Sequence, residues 1–245
     1  MKVPGLSRLA RRIKEFRFRR QGGTRFSQDF HHPVLVEGLR GHQAASDISD
    51  HLSTLFFFAV AAKPRLIVEL GTRGGESTRV LLSAAAVAGA TMLSVDIDDC
   101  AGLDLPYRER WHFVKGDDVA FGRDEFASWC AGRGIEPRVD VLFIDTSHLY
   151  EHTKQEIAVW APFLSANGVM IFHDTNMRRG IYARLDQSIA TNGWDNDRGV
   201  IRAVEELLGK RYDENRFFTD VANGFLVLHH PHCSGLTVLK KLPAR

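Results

Sequence analysis

The stretch LIVELGTRGGESTRVLL, Leu66 to Leu82, decides the fold. Its opening residues, LIVEL, form a short apolar run that suits a buried strand. Gly71, Gly74 and Gly75 follow, and a helix follows them. A glycine-bearing turn between strand and helix lets backbone come close to a bound group. Glu69 sets a carboxylate just before that turn. The dinucleotide fingerprint G-x-G-x-x-G fails here, because Arg73 stands at its middle position. The phosphate-loop pattern fails too, because no lysine follows the glycines. What remains is E-x-G-x-x-x-G, carried by Glu69, Gly71 and Gly75.

Strands and helices alternate outward from this turn. The patterning predicts strands at 66–70, 91–96, 111–115, 139–144 and 168–173. Helices are expected at about 75–88, 122–132, 150–163 and 197–210. Upstream, SDISDHLSTLFFFAVAA predicts a helix that starts near Ser46 and stops before Pro64. Downstream, RFFTDVANGFLVLHH predicts a hairpin turning at Ala-Asn-Gly. Alternating β and α units fold into a parallel sheet with right-handed crossovers. The expected architecture is a doubly wound α/β domain over residues 46–245. Its sheet would be mostly parallel and seven-stranded, with a C-terminal antiparallel hairpin.

A chain of 245 residues with 44% hydrophobic and 25% charged residues builds such a core without disulfides. Cys100, Cys130 and Cys233 are far apart, with no CxxC pair. They predict free thiols in a reducing cytoplasm, not a zinc site. No apolar region of a secretory leader follows the basic start. The longest apolar run, Leu55 to Ala62, is eight residues, far short of a bilayer span.

The net charge of +2 conceals an uneven distribution. Residues 1–25 hold nine basic residues and one acid, leaving 23 basic against 29 acidic in the rest. Leu6, Leu9, Ile13 and Phe16 fall at helical spacing in this arm. Such a helix would lie on an anionic membrane or on nucleic acid, or pack on the body or on a neighbouring subunit, or the segment is a frayed basic tail. Gln21–Thr24 is a hinge candidate, and residues 26–45 are expected to be irregular. The organisation expected is an arm and linker at 1–45 before the main domain.

In doubly wound sheets, ligands bind beyond the carboxyl ends of the strands. Here those ends read Glu69-Leu70-Gly71, Asp96-Ile97-Asp98, Gly116-Asp117-Asp118, Asp145-Thr146-Ser147-His148 and His173-Asp174-Thr175-Asn176. Each carries a carboxylate, which is costly at a sheet edge unless paired or liganded. An acid-lined cleft repels a pyrophosphate and suits a ligand with hydroxyls and an ammonium group.

On these residues the chain resembles the class I S-adenosylmethionine-dependent methyltransferases over about residues 46–230. The resemblance implies that Gly71 and Gly75 approach the methionine part of the cofactor, with Glu69 holding charge or the loop. Asp96, 27 residues after Glu69, would accept from both ribose hydroxyls. Asp117 and Asp118 would sit by the adenine. Ser77 and Thr78, at the helix start, would bond the methionine carboxylate.

A second constellation spans FIDTSHLYEHTKQEIAVWAPFLSANGVMIFHDTN, residues 143–176. Its D-x-x-H-x-Y (Asp145, His148, Tyr150) and its later pair His173-Asp174 resemble the sugar and antibiotic O-methyltransferases and the cephalosporin hydroxylase-like subgroup. That resemblance implies a divalent metal, Mg2+ or Mn2+, on Asp145, His173 and Asp174. Relatives with a magnesium site carry Glu-Asp or Asp-Asn at the later pair, so either the softer manganese binds, or His173 is not a ligand, or the site works without metal. Methyl transfer requires an aligned hydroxyl and a group to take its proton. His148 is the expected general base and Asp145 its catalytic partner. A sugar or glycoside acceptor is implied, and relatives of this kind often assemble into homo-oligomers. Arg178 or Arg179 would border the acceptor, and residues 191–199 look like a closing loop. His152, His229, His230 and His232 receive no role, and Tyr150 and Trp160 are expected to pack.

Two rival readings stand beside this one. Asp96-Ile97-Asp98 is also the DxD of a nucleotide-sugar glycosyltransferase, which leaves the glycine turn unexplained. The other rival is a non-catalytic binding protein docked through the basic arm.

Overall fold

The computed structural model describes Phe16 and residues 32–39, 46–178, 180–183, 189–192 and 198–243. The basic arm, the Gln21–Thr24 hinge, Arg179 and most of the expected closing loop lie outside the described residues.

The strands are β1 (Leu66–Leu70), β2 (Thr91–Asp96), β3 (Trp111–Lys115), β4 (Val139–Ile144), β5 (Leu164–His173), β6 (Gly180–Ala183), β7 (Ile189–Asn192), β8 (Phe218–Ala222), β9 (Phe225–His230) and β10 (Leu236–Lys241). Eight of them form one sheet in the order β3-β2-β1-β4-β5-β10-β9-β8, and β6 pairs with β7 alone. Strands β1 to β5 run parallel, while β10, β9 and β8 are antiparallel. The sheet therefore has one strand more than the seven expected. β10 inserts between β5 and the hairpin, and its residues Leu236 to Leu239 are buried on both faces. Its sequence, LTVLKK, lacks the polar alternation that marks a half-exposed strand.

Helices cover both faces. They are α1 (Pro33–Gly38), α2 (Leu52–Ala61), α3 (Glu76–Ala88), α4 (Asp118–Asp124), α5 (Phe126–Ala131), α6 (Tyr150–Trp160) and α7 (Gly199–Leu208). On one face α1 to α3 pack against Ile67, Phe143 and Ile171. On the other, α4 to α7 pack against Val68, Leu142 and Phe172. The period of two along each strand produces this division. The helix expected at 122–132 is two helices, α4 and α5, broken at Glu125. Trp160 is fully buried, as expected of a packing residue. His229 is buried as well, between Thr237 and the Glu214 carbonyl.

Residues 32–39 depart from the irregular linker expected. Pro33 starts α1, and His32 Nδ1 accepts the Val34 N–H at 3.3 Å. Leu35 and Leu39 reach the same core as Phe56 and Val80. Pro at the first helical position fixes a helical φ, so the turn forms despite its length.

The chain order reverses between β1 and β4, which places a crevice beyond their carboxyl ends. Cys100, Cys130 and Cys233 are buried free thiols. Among the described residues, no helix is long and apolar enough to cross a membrane.

Candidate active site

The glycine turn is held by three distinct devices. Gly71 has φ +86°, and a Cβ on it would lie 2.0 Å from the Asp145 carbonyl oxygen. Only glycine lets the ends of β1 and β4 approach this closely. The Asp145 N–H donates to the Leu70 carbonyl at 2.9 Å, which closes the join. The second device is Asp96. Its Oδ2 accepts the Thr72 and Arg73 N–H groups at 2.6 and 3.0 Å, and its Oδ1 accepts that of Asp98 at 2.8 Å. Arg73 itself pairs with Asp47 at 2.9 Å on the surface.

The third device is Glu69, which is fully buried. Its Oε1 accepts the Ser77 hydroxyl at 2.7 Å, and its Oε2 accepts those of Thr78 and Ser94 at 2.8 and 2.7 Å. The Trp111 indole N–H donates to Ser94 at 2.8 Å, so the Ser94 proton is directed at Glu69. Burial pushes the Glu69 pKa up, the three hydroxyls pull it back, and it stands at about 7. An acid raised in this way holds its proton more tightly when folded. Its contribution to stability is full below its ordinary value of 4.5 and falls as pH rises to about 7. Glu69→Gln is expected to abolish a loss of about 3 kcal/mol over that window. Urea unfolding at its two ends measures the difference.

The Ser77 and Thr78 hydroxyls thus donate to the loop's own anchor. What faces outward at the start of α3 is backbone. Gly75 provides no side-chain cap there, and the positive end of the helix dipole favours a carboxylate. A hollow of about 230 Å3 opens here, lined by residues 71–74, Glu76, Ser77, Asp145, Thr146 and His148.

Asp117 and Asp118 part company. Asp117 is the N-cap of α4, accepting the Ala120 N–H at 2.7 Å, and is exposed. Asp118 is buried and turns instead toward His152, 3.1 Å away. Of the pair expected at the adenine, only Asp117 faces outward. Asp118 turns inward because it is the first helical residue of α4, one position past the cap.

The reacting end brings together residues from two loops. His148 Nε2 lies 2.7 Å from Asp174 Oδ2 and 3.8 Å from Asp145 Oδ1. His173 Nδ1 lies 3.2 Å from Asp145 and 3.3 Å from Asp174. His148 and Asp174 both hold positive φ, 59° and 56°, a strain that collects at functional sites. Gly199, at the start of α7, backs this loop: a Cβ there would lie 2.1 Å from the His148 carbonyl oxygen.

Burial lowers the His148 pKa, but bonds and charge from Asp145 and Asp174 outweigh it and leave it at about 9. Burial opposes charge on His173 too, and the same carboxylates overcome it, raising its pKa well above the ordinary value. Burial would raise Asp145, yet the His173 charge and the His148 bond hold it below the usual range. Two imidazolium protons therefore balance two carboxylates.

Asp145, His148 and Asp174 each offer a ligand atom within 4.8 Å of the others. Two carboxylates and an imidazole fit a divalent cation. His173, expected in that set, is pinned instead. Its Nε2–H donates to the Asp47 and Cys233 carbonyls, each at 3.1 Å, and His148 takes its place in the compact group. A second hollow of about 230 Å3 lies beyond Asp174, bordered by Met177, Arg178, Arg198 and Ile201. Arg198 is held there by Glu205 and Glu214. Tyr150 packs, with Glu206 bonded to its hydroxyl and Arg202 3.8 Å over its ring.

This sheet order, with a glycine turn at its reversal point and acids at each parallel strand end, is that of a class I methyltransferase. Residues 68–175 match the model of a family described as a methyltransferase domain. A protein of Sinorhizobium fredii, y4gI, described as uncharacterized, is 32% identical over 126 residues. That match covers 48% of this chain and 14% of the other, so the chain spans a small part of that relative's length. The S-adenosylhomocysteine-bound methyltransferase PaMTH1 of Podospora anserina is similar in fold, with 16% identity, TM-score 0.52 and 98% of each chain covered. So is an O-methyltransferase of Bacillus cereus in complex with S-adenosylhomocysteine, with 15% identity and TM-score 0.50 over 87% of this chain and 93% of that one. At such identities the likeness is one of fold.

Proposed function

We propose that the protein is an O-methyltransferase that methylates a hydroxyl of a sugar or glycosylated small molecule, assisted by a divalent cation. The observation that carries this reading is the Asp145–His148–Asp174 group, set between a hollow beside the glycine turn and a second hollow beyond Asp174. S-adenosylmethionine supplies, when bound, an electrophilic methyl on a sulfonium. The turn at Gly71 admits its methionine part, and the N-terminal end of α3 attracts its carboxylate. Asp96 has three N–H partners already, so it offers the ribose one further acceptor site of the four a carboxylate carries. Asp145 and Asp174 would hold the cation, whose charge would lower the pKa of the acceptor hydroxyl. His148, oriented by Asp174, takes the hydroxyl proton.

An imidazole with pKa about 9 is mostly protonated at neutral pH and accepts no proton. With a chelator present, turnover is therefore expected to climb only toward pH 9. Added Mn2+ brings positive charge beside His148 and moves the rise to lower pH. His148→Ala is expected to cut kcat by about 100-fold or more while leaving S-adenosylhomocysteine affinity nearly unchanged. Steady-state kinetics and calorimetry separate the two effects. An equal loss of cofactor affinity would refute the assignment, and a loss of Mn2+ affinity would make His148 a ligand instead of the base.

The glycosyltransferase reading has no support from Asp96. Neither candidate metal group among the described residues includes Asp96 or Asp98.

A further inference from the structure

We propose that Asp118, His152 and Glu156 form a second cation site, separate from the reacting end, that takes a borderline divalent ion such as Zn2+ or Co2+. Three facts of placement create it. Asp118 opens α4, while His152 and Glu156 stand four residues apart on α6 and share one face. His152 Nε2 lies 3.1 Å from Asp118 Oδ1 and 3.6 Å from Glu156 Oε1. The three residues offer ligand atoms within 4.8 Å of one another. Donors bound to one such ion lie about 3–4 Å apart, so little movement is needed.

An independent observation points to a ligand. Asp118 Oδ2 and Glu156 Oε2 are buried with no hydrogen-bond partner outside the cluster; within it the two carboxyl groups meet each other, and Thr153 lies against Glu156. The Glu156 side chain is 0% exposed and that of Asp118 is 7% exposed. Two carboxyl groups buried against each other are costly unless a proton or a cation is shared between them. Burial and the nearby Asp118 raise the Glu156 pKa well above its ordinary value, so a cation would here replace a proton. His152 is 26% exposed and provides the way in. One nitrogen and two carboxylate oxygens suit a borderline ion better than Mg2+ or Ca2+, which prefer all-oxygen sets. Bound there, the ion would pin α4 to α6. It would also steady Thr146, which lines the cofactor hollow and donates to Glu156 Oε1 at 2.7 Å. The site shares no residue with the Asp145–His148–Asp174 group, so it stands or falls apart from the methyltransferase reading.

The test is a Co2+ and Zn2+ titration of the full chain carrying Asp145→Asn and Asp174→Asn, which disable the other group. Expected are one ion retained per chain by equilibrium dialysis, a Co2+ visible absorption band, and a melting temperature raised by Zn2+. Adding Glu156→Gln or His152→Ala is expected to weaken binding by more than about 100-fold, beyond what loss of an outer-shell partner costs. Glutamine mimics the protonated acid and His152 is partly exposed, so both variants fold. No ion retained in the Asp145→Asn/Asp174→Asn chain would overturn the proposal, leaving a proton-sharing carboxyl pair. Binding that survives both further substitutions would overturn it equally.

Discussion

Gly71→Ala is expected to cost about 2–5 kcal/mol of stability, the sum of left-handed backbone strain and overpacking. The strain arises because φ is +86°. The overpacking arises because the new methyl would meet the Asp145 carbonyl oxygen at 2.0 Å and its carbon at 2.8 Å, backbone atoms that cannot swing aside. Moving them breaks the Asp145 N–H bond to Leu70 and parts the ends of β1 and β4. Because that join is one wall of the cofactor hollow, affinity for S-adenosylhomocysteine should fall by more than about 100-fold, or about 2.7 kcal/mol. Gly74→Ala is the control for stability. A Cβ there meets nothing within 4 Å, and its φ is not in the left-handed range. That variant should be neutral or stabilised by up to about 1 kcal/mol, because alanine restricts the unfolded chain. Urea unfolding of the pair measures the stability difference, and titration calorimetry of Gly71→Ala against the native chain measures the affinity.

Asp96→Ala is expected to act on the same loop through hydrogen bonds. It removes a carboxylate that accepts three N–H groups, two of them from the glycine turn. Bonds to a charged group are worth about 1.5–3 kcal/mol each and do not add fully, so a loss of about 2–4 kcal/mol is expected. The cofactor loses its ribose acceptor and the loop its clamp, so affinity should fall by at least about 100-fold. Asp96→Asn keeps one carbonyl acceptor and should fall between alanine and the native residue. If alanine weakened cofactor binding while leaving stability untouched, the clamp would be wrong and a purely ligand-facing role right.

How much of this was legible in the sequence follows from the physics of each signal. The five parallel strands were legible because apolar runs bounded by turn residues are local. Gly71 was legible because a glycine between strand and helix has few other uses. β10 was not, because LTVLKK is buried on both faces and lacks the alternation of a strand with one wet side. The direction of side chains was also hidden. Ser77 and Thr78 look like ligand groups in sequence, but the buried Glu69 claims both hydroxyls. Asp117 and Asp118 are neighbours whose fates divide on which of them caps α4. The pairing of His148 with Asp174 joins two loops across the sheet, and no local pattern encodes it. The spacing of His152 and Glu156 was visible as a shared helix face, but their partner Asp118 lies on another helix.

The central claim is that the crevice at the ends of β1 and β4 holds S-adenosylmethionine. Titration calorimetry of the native chain with S-adenosylhomocysteine tests it most directly. One site per chain is expected, with a dissociation constant on the order of micromolar, about −8 kcal/mol, lost in Gly71→Ala. Absence of heat at millimolar ligand, or undiminished binding by Gly71→Ala, would contradict it.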